Sequence, residues 1–456
     1  MALNAAINWD VRTGGSDTNG GGFKAGASGT DWSLQNAAQY SVTDAVTAGT
    51  TTITSATANF GTDVVGNVLY IQGGTASITA GWYEITSRTN STTIVVDRST
   101  GLTAGTGATL KIGGAFATLN APLAVGVAGN IAYVKSGTYS VATTITATTT
   151  WAGCKIEGYG TTHGDLGTAP LLQATAAVNV LRLYSVTGGT DNRLTNVNID
   201  GNSTGLIGLL GSSFNSNSGI TVVGCKVYGC VTAGIYIPAP TGWLINCEIY
   251  SNVIGVGDAS SLSTTHMYGC VIRNNTSDGA YRLSESKIDR CVAHSNGATG
   301  FNPGGQGINI FSHCVAYGNT TDGFGTTLGN SRATKFINCI SVSNGGYGFR
   351  SATSDQAQAR YCATYNNTTS AFDSNVQNAN FGNIALSGNP FTNAGSGDFS
   401  LISTGAGAQC RAAGFPGVFP GGLTTGYPDI GAAQHADSGS SGGLLTHPGM
   451  TGGMRG

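Results

Sequence analysis

The sequence predicts an all-β protein whose main body is a solenoid of stacked parallel strands. Two observations predict this fold class: a composition typical of strands and tight turns, and a set of residue types that recurs about every 23 residues. Gly accounts for 72 of the 456 residues, well above the usual share of about 7%, whereas charged residues make up only 9%. With 40% hydrophobic residues and a net charge of −2, the composition excludes a disordered chain. A coiled coil is excluded because the chain is rich in Thr, Ser, Asn and Gly instead of Lys, Glu and Ala.

The recurring unit is marked by seven cysteines that lie 21 to 25 residues apart: Cys225, Cys247, Cys270, Cys291, Cys314, Cys339 and Cys362. An asparagine stands five residues after each of the last six: Asn252, Asn275, Asn296, Asn319, Asn344 and Asn367. A phenylalanine follows the last four cysteines at a fixed distance: Phe301, Phe324, Phe349 and Phe372. Residue types that recur at the length of one turn stack in register on parallel strands, about 4.8 Å apart. We therefore expect internal columns of thiols, amides and rings. Asn suits the bends because it tolerates left-handed backbone geometry and because a buried column of Asn can hydrogen-bond from turn to turn.

The cysteine column is interpreted as structural. Free Cys packs as a small hydrophobic side chain, and stacked side chains point the same way, which disfavours the dihedral angle of a disulfide. The sequence contains no C-x₂-C pair of the kind that zinc sites use. We expect neither a metal nor another cofactor.

Other segments frame this repeat. Gly15–Gly21 is similar to an opening turn, Phe116–Asn120 to the start of a capping helix, and Ile131–Tyr139 to a first strand and corner. Asp398–Leu401 and Asp429–Ala432 are similar to closing segments. With the repeat, these motifs resemble the right-handed parallel β-helix, or pectate-lyase-like, superfamily. The resemblance implies a right-handed parallel β-helix with an N-terminal capping helix, but not one function, because lyases, hydrolases, adhesins and viral spikes share the fold.

The chain divides into four predicted parts. Residues 1–23 lead into the cap of the β-helix, and residues 24–114 form an inserted small β-barrel or sandwich, because alternating apolar runs there are separated by Gly and Asn. Residues 115–435 form the parallel β-helix. Residues 436–456 form a Gly/Ser-rich tail that we expect a neighbouring chain in an assembly to hold.

The balanced charge and the lack of recognisable targeting signals exclude several classes of partner. With 20 basic and 22 acidic residues, the chain has no basic patch for nucleic acid or for an anionic membrane. No apolar run approaches the length of about 20 residues that a membrane helix needs, and the N-terminal residues do not read as a secretory signal. For a protein that resembles this superfamily but shows no secretory signal, the resemblance implies a bacteriophage virion protein made in the host cytoplasm. The low charge indicates that assembly buries much of its surface.

Two outward-facing columns next to the cysteines are the candidate interface. They comprise Val271, Val292, Val315, Ile340, Tyr228, Tyr250, Tyr317 and Tyr365. We expect this apolar and aromatic face to join subunits, most simply in a homotrimer. Two alternatives remain: a loop or the C-terminal segment covers the face, or the tyrosines stack on glycans.

Catalytic residues are harder to find. Polysaccharide hydrolases need two carboxylates across the scissile bond, and the densest charge lies around Glu285 and Asp289. These two are the candidates if the protein is an enzyme, although we favour the interpretation that they are exposed corner residues in local ion pairs. His163-Gly164-Asp165 is only a partial match to the Gly-His-Gly motif of polygalacturonase-like enzymes.

Two functions therefore compete. The first is a non-enzymatic structural protein of a bacteriophage virion, as a capsid decoration, spike or fibre, which associates with itself and other virion proteins and contacts host surface glycans. The second is a polysaccharide-degrading tailspike, lyase or hydrolase of the pectate-lyase-like superfamily. The few carboxylates favour the first function, whereas a groove lined by two or three of them would favour the second.

Overall fold

The structure is a computed structural model. It describes residues 3–4, 6–75, 78–101, 103–147, 153, 155–185, 192–213, 219–238, 241–257, 264–304, 307–326, 334–352, 357–379, 381–415 and 428–435. The predicted tail at 436–456 lies outside these residues, so a neighbouring chain that holds it stays a prediction.

The first part of the chain contains eight strands and the first α-helix. Their bounds are β1 Ile7–Val11, β2 Gly22–Lys24, β3 Tyr40–Ala48, β4 Thr52–Thr54, β5 Val68–Gln72, β6 Gly81–Asn90, β7 Thr93–Val96, β8 Ala104–Ile112 and α1 Asn120–Val125. Short 3₁₀ turns span Trp32–Leu34, Thr62–Val64 and, near the other end, Ala394–Ser396.

The remaining strands belong to the solenoid and to a C-terminal segment. The solenoid strands are β9 Ile131–Lys135, β10 Thr138–Val141, β11 Ile145–Thr146, β12 Lys155–Tyr159, β13 Leu171–Ala174, β14 Leu181–Ser185, β15 Asn192–Thr195, β16 Asn198–Asp200, β17 Ile207–Ser213, β18 Gly219–Val223, β19 Lys226–Tyr228, β20 Ala233–Tyr236, β21 Thr241–Ile245, β22 Glu248–Tyr250, β23 Ile254–Val256, β24 Thr265–Tyr268, β25 Val271–Arg273, β26 Ala280–Leu283, β27 Lys287–Asp289, β28 Val292–His294, β29 Phe301–Pro303, β30 Ile310–Ser312, β31 Val315–Tyr317, β32 Phe324–Gly325, β33 Thr334–Ile337, β34 Ile340–Val342, β35 Tyr347–Arg350, β36 Ala357–Arg360, β37 Ala363–Tyr365, β38 Ser370–Phe372, β39 Val376–Gln377 and β40 Ile384–Ala385. The C-terminal segment holds β41 Phe391–Asn393, β42 Asp398–Leu401 and α2 Gly405–Cys410.

Three sheets run along the solenoid, and each complete turn adds one strand to each of them. Within the described residues, sheet 1 contains β1, β2 and every third strand from β9 to β39, sheet 2 runs from β10 to β40, and sheet 3 runs from β11 to β38. All the solenoid strands pair in parallel, and the predicted all-β parallel solenoid is confirmed. The cysteines lie at the corner from sheet 1 to sheet 2, and the asparagines lie at the corner from sheet 2 to sheet 3.

The interior consists of columns from successive turns. The seven repeat cysteines are at most 2% exposed, and all nine described cysteines are free thiols. The four repeat phenylalanines stack from turn to turn, with ring centroids 4.9 to 5.4 Å apart. Each column lies on one face of the interior and receives one residue from each turn. The stacking of turns therefore explains why these residues recur about every 23 positions in the sequence.

The asparagine column is fully hydrogen-bonded. Asn296 Nδ2 donates to Asn319 Oδ1 at 2.9 Å and to the carbonyl of Ile272 at 3.2 Å. The backbone N–H of Asn296 donates to the same Asn319 Oδ1 at 3.1 Å. The same pattern joins the other ladder asparagines, and the first turn enters it through the backbone N–H of Cys230.

Of the two reasons to expect Asn at these bends, the turn-to-turn hydrogen bonds are confirmed, whereas the left-handed backbone geometry is wrong. The left-handed residue is the one before each ladder asparagine, as at Ser251, Ser295 and Ser343, with φ between 55° and 56°. The residue before each cysteine is also left-handed, for example His313 at φ 52°. Asn is therefore required for its side-chain amide and not for its backbone conformation.

The N-terminal cap differs in detail from the expectation. The helix begins at Asn120 rather than at Phe116, because Phe116 pairs as an isolated parallel bridge with Val11. Asp17 Oδ1 accepts the backbone N–H groups of Ala117 and Thr118, both at 2.9 Å, and holds this stretch outside the helix. The buried residues Leu119 and Leu123 then close the end of the core.

Between β2 and Phe116, the six strands β3 to β8 close into an antiparallel barrel with its own apolar core. The barrel touches the start of the solenoid through Trp82, whose ring lies 6.0 Å from that of Phe116 and whose Nε1 donates to the carbonyl of Asn19. We keep the division at residues 24 and 114 as a proposal about domain structure.

Candidate functional site on the outer faces of sheets 1 and 2

The second half of the predicted interface is already covered by the chain itself. Val315 and Ile340 are 0% exposed and Val292 is 8% exposed, because they pack against the C-terminal segment. The segment contributes an apolar layer of Leu386, Phe391, Ala394, Phe399, Leu401, Ala406, Cys410 and Ile430. The expectation that these valines and Ile340 form a subunit interface is therefore wrong, and the alternative of a C-terminal cover is what the structure has.

The cover also contacts the tyrosine column. The ring of Tyr317 lies 6.1 Å from Phe391 and 5.7 Å from Phe399, and Tyr365 packs at the edge of the same cluster. His294, at the boundary of the cover, lies 5.0 Å from Phe399. Burial lowers the pKa of His294 to about 4, and the positive charge of Arg273 acts in the same direction.

The first half of sheet 2 is open, and Val271 there is half-buried. The rings of Tyr228 and Tyr250 stack on each other at 4.9 Å, and the Arg273 guanidinium lies 4.3 Å from the centre of Tyr250. Arg273 also donates to Glu248 at 2.7 Å. Because the ring of Tyr250 lies between Tyr228 and the Arg273 guanidinium, it offers its edge and hydroxyl group to solvent, which disfavours sugar stacking on Tyr250.

A column of cationic and aromatic side chains runs along the outer face of sheet 1. Register places these residues on successive turns: Lys155, Arg193, Thr221, Trp243, His266, Lys287, Ile310 and Lys335. The four Lys and Arg side chains are exposed. Since each turn rises about 4.8 Å, these groups form a straight track along the solenoid.

Trp243 is the most prominent group on this track. It is 42% exposed, and one side of its ring lies 4.4 Å from the ring of His266. His266 Nδ1 accepts the backbone N–H of Lys287 at 2.9 Å, so its Nε2 faces outward as the second polar atom of the ring. Burial and the charge of Lys287 lower the pKa of His266, which keeps it neutral near pH 7.

Asp289, a predicted catalytic candidate, lies beside this track in a hydrogen-bonded network. Its Oδ1 accepts the Ser312 hydroxyl at 2.9 Å and His313 Nδ1 at 3.3 Å, and Asn338 Nδ2 donates to His313 Nε2 at 3.0 Å. Burial opposes ionisation of Asp289, but the hydrogen bonds from His313 and Ser312 outweigh it and lower the pKa. An ionised carboxylate cannot act as the general acid that glycoside hydrolysis needs.

Glu285 does not join Asp289. It is exposed at the corner between sheets 3 and 1 with φ 51°, whereas the hydrogen bonds of Asp289 go to the next turn. The track itself was missed by sequence reasoning, although its signal was available. The residues lie four positions before the repeat cysteines, as Thr221, Trp243, His266, Lys287, Ile310 and Lys335.

Within the described residues, no three His, Cys, Asp or Glu side chains are grouped to hold a metal ion. Neither α-helix in the part of the chain that the structure describes is long and apolar enough to cross a bilayer.

Comparison with protein families agrees with the geometry. Residues 252–413 match the family described as "Right handed beta helix region". The solenoid is a right-handed β-helix. A search of curated protein sequences found no match.

Several solved structures resemble this β-helix at low sequence identity. Pectate lyase Pel9A is 18% identical with a TM-score of 0.47, and the match covers 71% of this chain and 92% of that one. ORF18 of Geobacillus virus E2 is 16% identical with a TM-score of 0.41, over 55% and 52% of the chains. The tailspike gp49 from Acinetobacter baumannii bacteriophage Fri1, a capsular polysaccharide depolymerase, is 11% identical with a TM-score of 0.39, over 54% and 52%.

Proposed function

We propose that the protein is a rigid structural component of a phage virion and that the track on sheet 1 holds an acidic polysaccharide of the host surface. The observation that carries the polysaccharide part is the column of exposed Lys and Arg side chains that also contains Trp243 and His266, besides Thr221 and Ile310. The virion part comes from the family resemblance and from a surface too poor in charge for an isolated protein.

The chemistry of the track fits a charged sugar chain. Lys and Arg form charge-assisted hydrogen bonds with carboxylates, and an exposed Trp ring presents apolar area with a polar N–H at its edge. Arg193, Trp243 and Lys287 stand two turns apart, or about 9.6 Å. That interval is close to the length of a disaccharide, so one chain can contact all three while it lies along the β-helix.

Binding of two soluble polymers tests this proposal: alginate as an acidic polysaccharide and dextran as a neutral one. We expect calorimetry to show alginate binding that weakens as salt rises, and no dextran binding. Trp243→Ala and Lys287→Gln should each weaken binding at least about fivefold. Lys226→Gln, on sheet 2, is the matched control and should bind like the parent, and equal losses in all three variants would contradict the proposal.

The homotrimer remains part of this proposal, but it now needs another surface than Val292, Val315 and Ile340. The open half of sheet 2, around Tyr228 and Tyr250, is the remaining part of the predicted interface. Light scattering on the purified protein tests the oligomeric state. A mass near 45.9 kDa would mean a monomer and would contradict the trimer.

Depolymerase activity is the second candidate, because Asp289 lies ionised beside the track and hydrogen-bonded to His313. An ionised carboxylate serves as a base and not as an acid. If the protein cleaves polysaccharide, the molar mass of alginate should fall during incubation, and Asp289→Asn should abolish the fall. If the molar mass of alginate is unchanged after prolonged incubation, depolymerase activity is rejected and only the binding role remains.

A further inference from the structure

A second cluster of titratable groups lies at the N-terminal end of sheet 1. Asp10 on β1 is 0% exposed and its carboxylate accepts three donors. Arg12 Nε donates to Oδ1 at 2.6 Å, while the Tyr159 hydroxyl and His163 Nε2 both reach Oδ2 at 2.7 Å. A buried carboxylate needs such partners, since removal of a charge from water is strongly unfavourable.

His163 differs from the other two partners because it reaches the surface. Its side chain is 22% exposed, and its ring stacks on Tyr133 at 3.8 Å with the planes 7° apart. The ring of Tyr159 meets it edge-on at 4.8 Å. Because the Asp10 carboxylate accepts this hydrogen bond, His163 Nε2 is the donor, and Nδ1 is left with a lone pair and no hydrogen-bond partner among the described residues.

The loop that carries His163 is held rigidly. Asp165, two residues further on, accepts four backbone N–H groups, from Gly160, Thr161, Thr162 and Gly167, at distances of 2.6 to 3.0 Å. These hydrogen bonds hold the pKa of Asp165 well below its usual range. The loop geometry therefore does not depend on the contact between His163 and Asp10.

The cluster lies on the same outer face as the track on sheet 1. Asp10 pairs with Tyr133, and Tyr133 pairs with Glu157, in the column next to the one that starts at Lys155. Asp31 is also nearby, and burial raises its pKa, while its hydrogen bonds from Ser33 oppose that rise. A polymer that follows the track toward the N-terminal end reaches His163.

We propose that His163, oriented by Asp10, is the general base of a hydrolytic site that removes ester-linked acyl groups from a polysaccharide. His163 Nδ1 takes a proton from water while the water oxygen bonds to the acyl carbon. The carbon–oxygen bond to the sugar then breaks, and the sugar oxygen leaves with the proton from Nδ1. The products are a carboxylic acid and a free hydroxyl group, and Asp10 stabilises the imidazolium that forms between the two steps.

The ester is favoured over the glycosidic bond by what the cluster contains. Glycosidic cleavage needs two carboxylates free to act on opposite sides of the bond, whereas Asp10 is buried and occupied by three donors. Hydrolysis of an ester needs only one imidazole, which accepts a proton from water and then returns it to the leaving oxygen. The choice of a polysaccharide as the carrier rests on the proposed function above, whereas the base itself does not.

Hydrolysis of 4-nitrophenyl acetate by the full chain tests the base without any polysaccharide. His163→Gln retains an N–H donor for Asp10 and removes the base, so we expect a loss of at least about 100-fold. His435→Gln is the matched control, because His435 is 23% exposed and contacts Asp429 at 2.6 Å in a similar pair.

Equal rates for the parent and His163→Gln, or equal losses in the two His variants, would overturn the proposal. Acetate release from acetylated alginate is measured next. Activity on 4-nitrophenyl acetate with no release from the polymer would retain the base and reject the polysaccharide substrate. Alginate binding by His163→Gln should match that of the parent, which separates this site from the proposed function of the track.

Discussion

Single residues at the corners of the β-helix fulfil two separate requirements. The left-handed backbone position is occupied by residues as different as Ser251, Arg290 and Tyr361, whereas the next position is almost always Asn or Cys. A left-handed non-glycine residue is unfavourable by roughly 1–2 kcal/mol, and the stacked hydrogen bonds of neighbouring turns offset it. The side chain that is repeated is therefore the one that bonds from turn to turn.

Replacement of a ladder asparagine should destabilise the whole stack. In Asn319→Ala, the N–H groups that Asn296 donates to Asn319 Oδ1 lose their acceptor inside the core. Each unsatisfied buried group is unfavourable by about 1–3 kcal/mol, so we expect a loss of at least about 2 kcal/mol in the free energy of unfolding. Denaturant titration measures it, and Thr320→Ala, an exposed neighbour, should change stability by less than about 0.5 kcal/mol.

His294 should make stability depend on pH. Its pKa is about 4 in the folded protein against an ordinary value of 6.5, so between these values the unfolded chain binds a proton that the folded chain does not. Stability contributed by the neutral, buried ring is therefore complete above about pH 6.5 and is lost as the pH falls toward 4. The denaturation midpoint should differ less between pH 7 and pH 5 in His294→Gln than in the parent protein. If the difference is the same in both proteins, other groups cause the pH dependence.

At the scale of elements, the C-terminal segment behaves as a lid sealed onto sheet 2. Phe399 is 7% exposed and contacts His294, Tyr317 and Phe391. Cys410 lies in the same layer, and burial together with the charge of Asp429 raises the pKa of its thiol to about 12. This thiol therefore reports whether the segment is in place.

Phe399→Ala should loosen that segment while the β-helix stays folded. We expect faster modification of Cys410 by a thiol reagent, located by mass spectrometry, because the truncation removes the ring at the centre of the layer. The β-sheet signal in circular dichroism should persist. Ser396→Ala, on an exposed turn of the same segment, should leave the labelling of Cys410 unchanged. Equal labelling of both variants would mean that Phe399 does not hold the segment in place.

The sequence could predict the apolar columns of sheet 2 but not what covers them. Val292, Val315 and Ile340 have to be buried whichever chain supplies the cover, so their pattern is the same for a trimer and for an intramolecular lid. The residues of the lid, such as Phe391 and Ile430, follow no repeat. The His163 cluster escaped prediction for a related reason, since its members come from β1 and from a loop more than 140 residues away.

The whole molecule is quasi-one-dimensional, because each turn contacts only its neighbours along most of the β-helix. Removal of residues 226–247, one period from cysteine to cysteine, joins Cys225 to Glu248 and keeps every column in register. That variant should fold and melt cooperatively. Removal of 226–236 breaks the period and should abolish the transition, and similar melting of both variants would contradict stacking as the source of stability.

At this scale the sequence was most informative. One period and several columns predict stacked turns of about 23 residues and the thiols, amides and rings of the interior, because all turns solve the same packing problem. Function is not repeated in that way. Trp243 and His266 occur once each on the track, so their role becomes visible only when register places them beside the cationic residues.

The lid on sheet 2 also imposes an order on synthesis. Val292, Val315 and Ile340 leave the ribosome before Phe399 and Ile430, and at about 5–20 residues per second the delay is several seconds. Throughout that interval the nascent protein exposes an uncovered apolar stripe to solvent. The stripe is therefore a site for chaperone binding and for premature pairing of two unfinished chains. A truncated product that ends before residue 391 would expose it permanently.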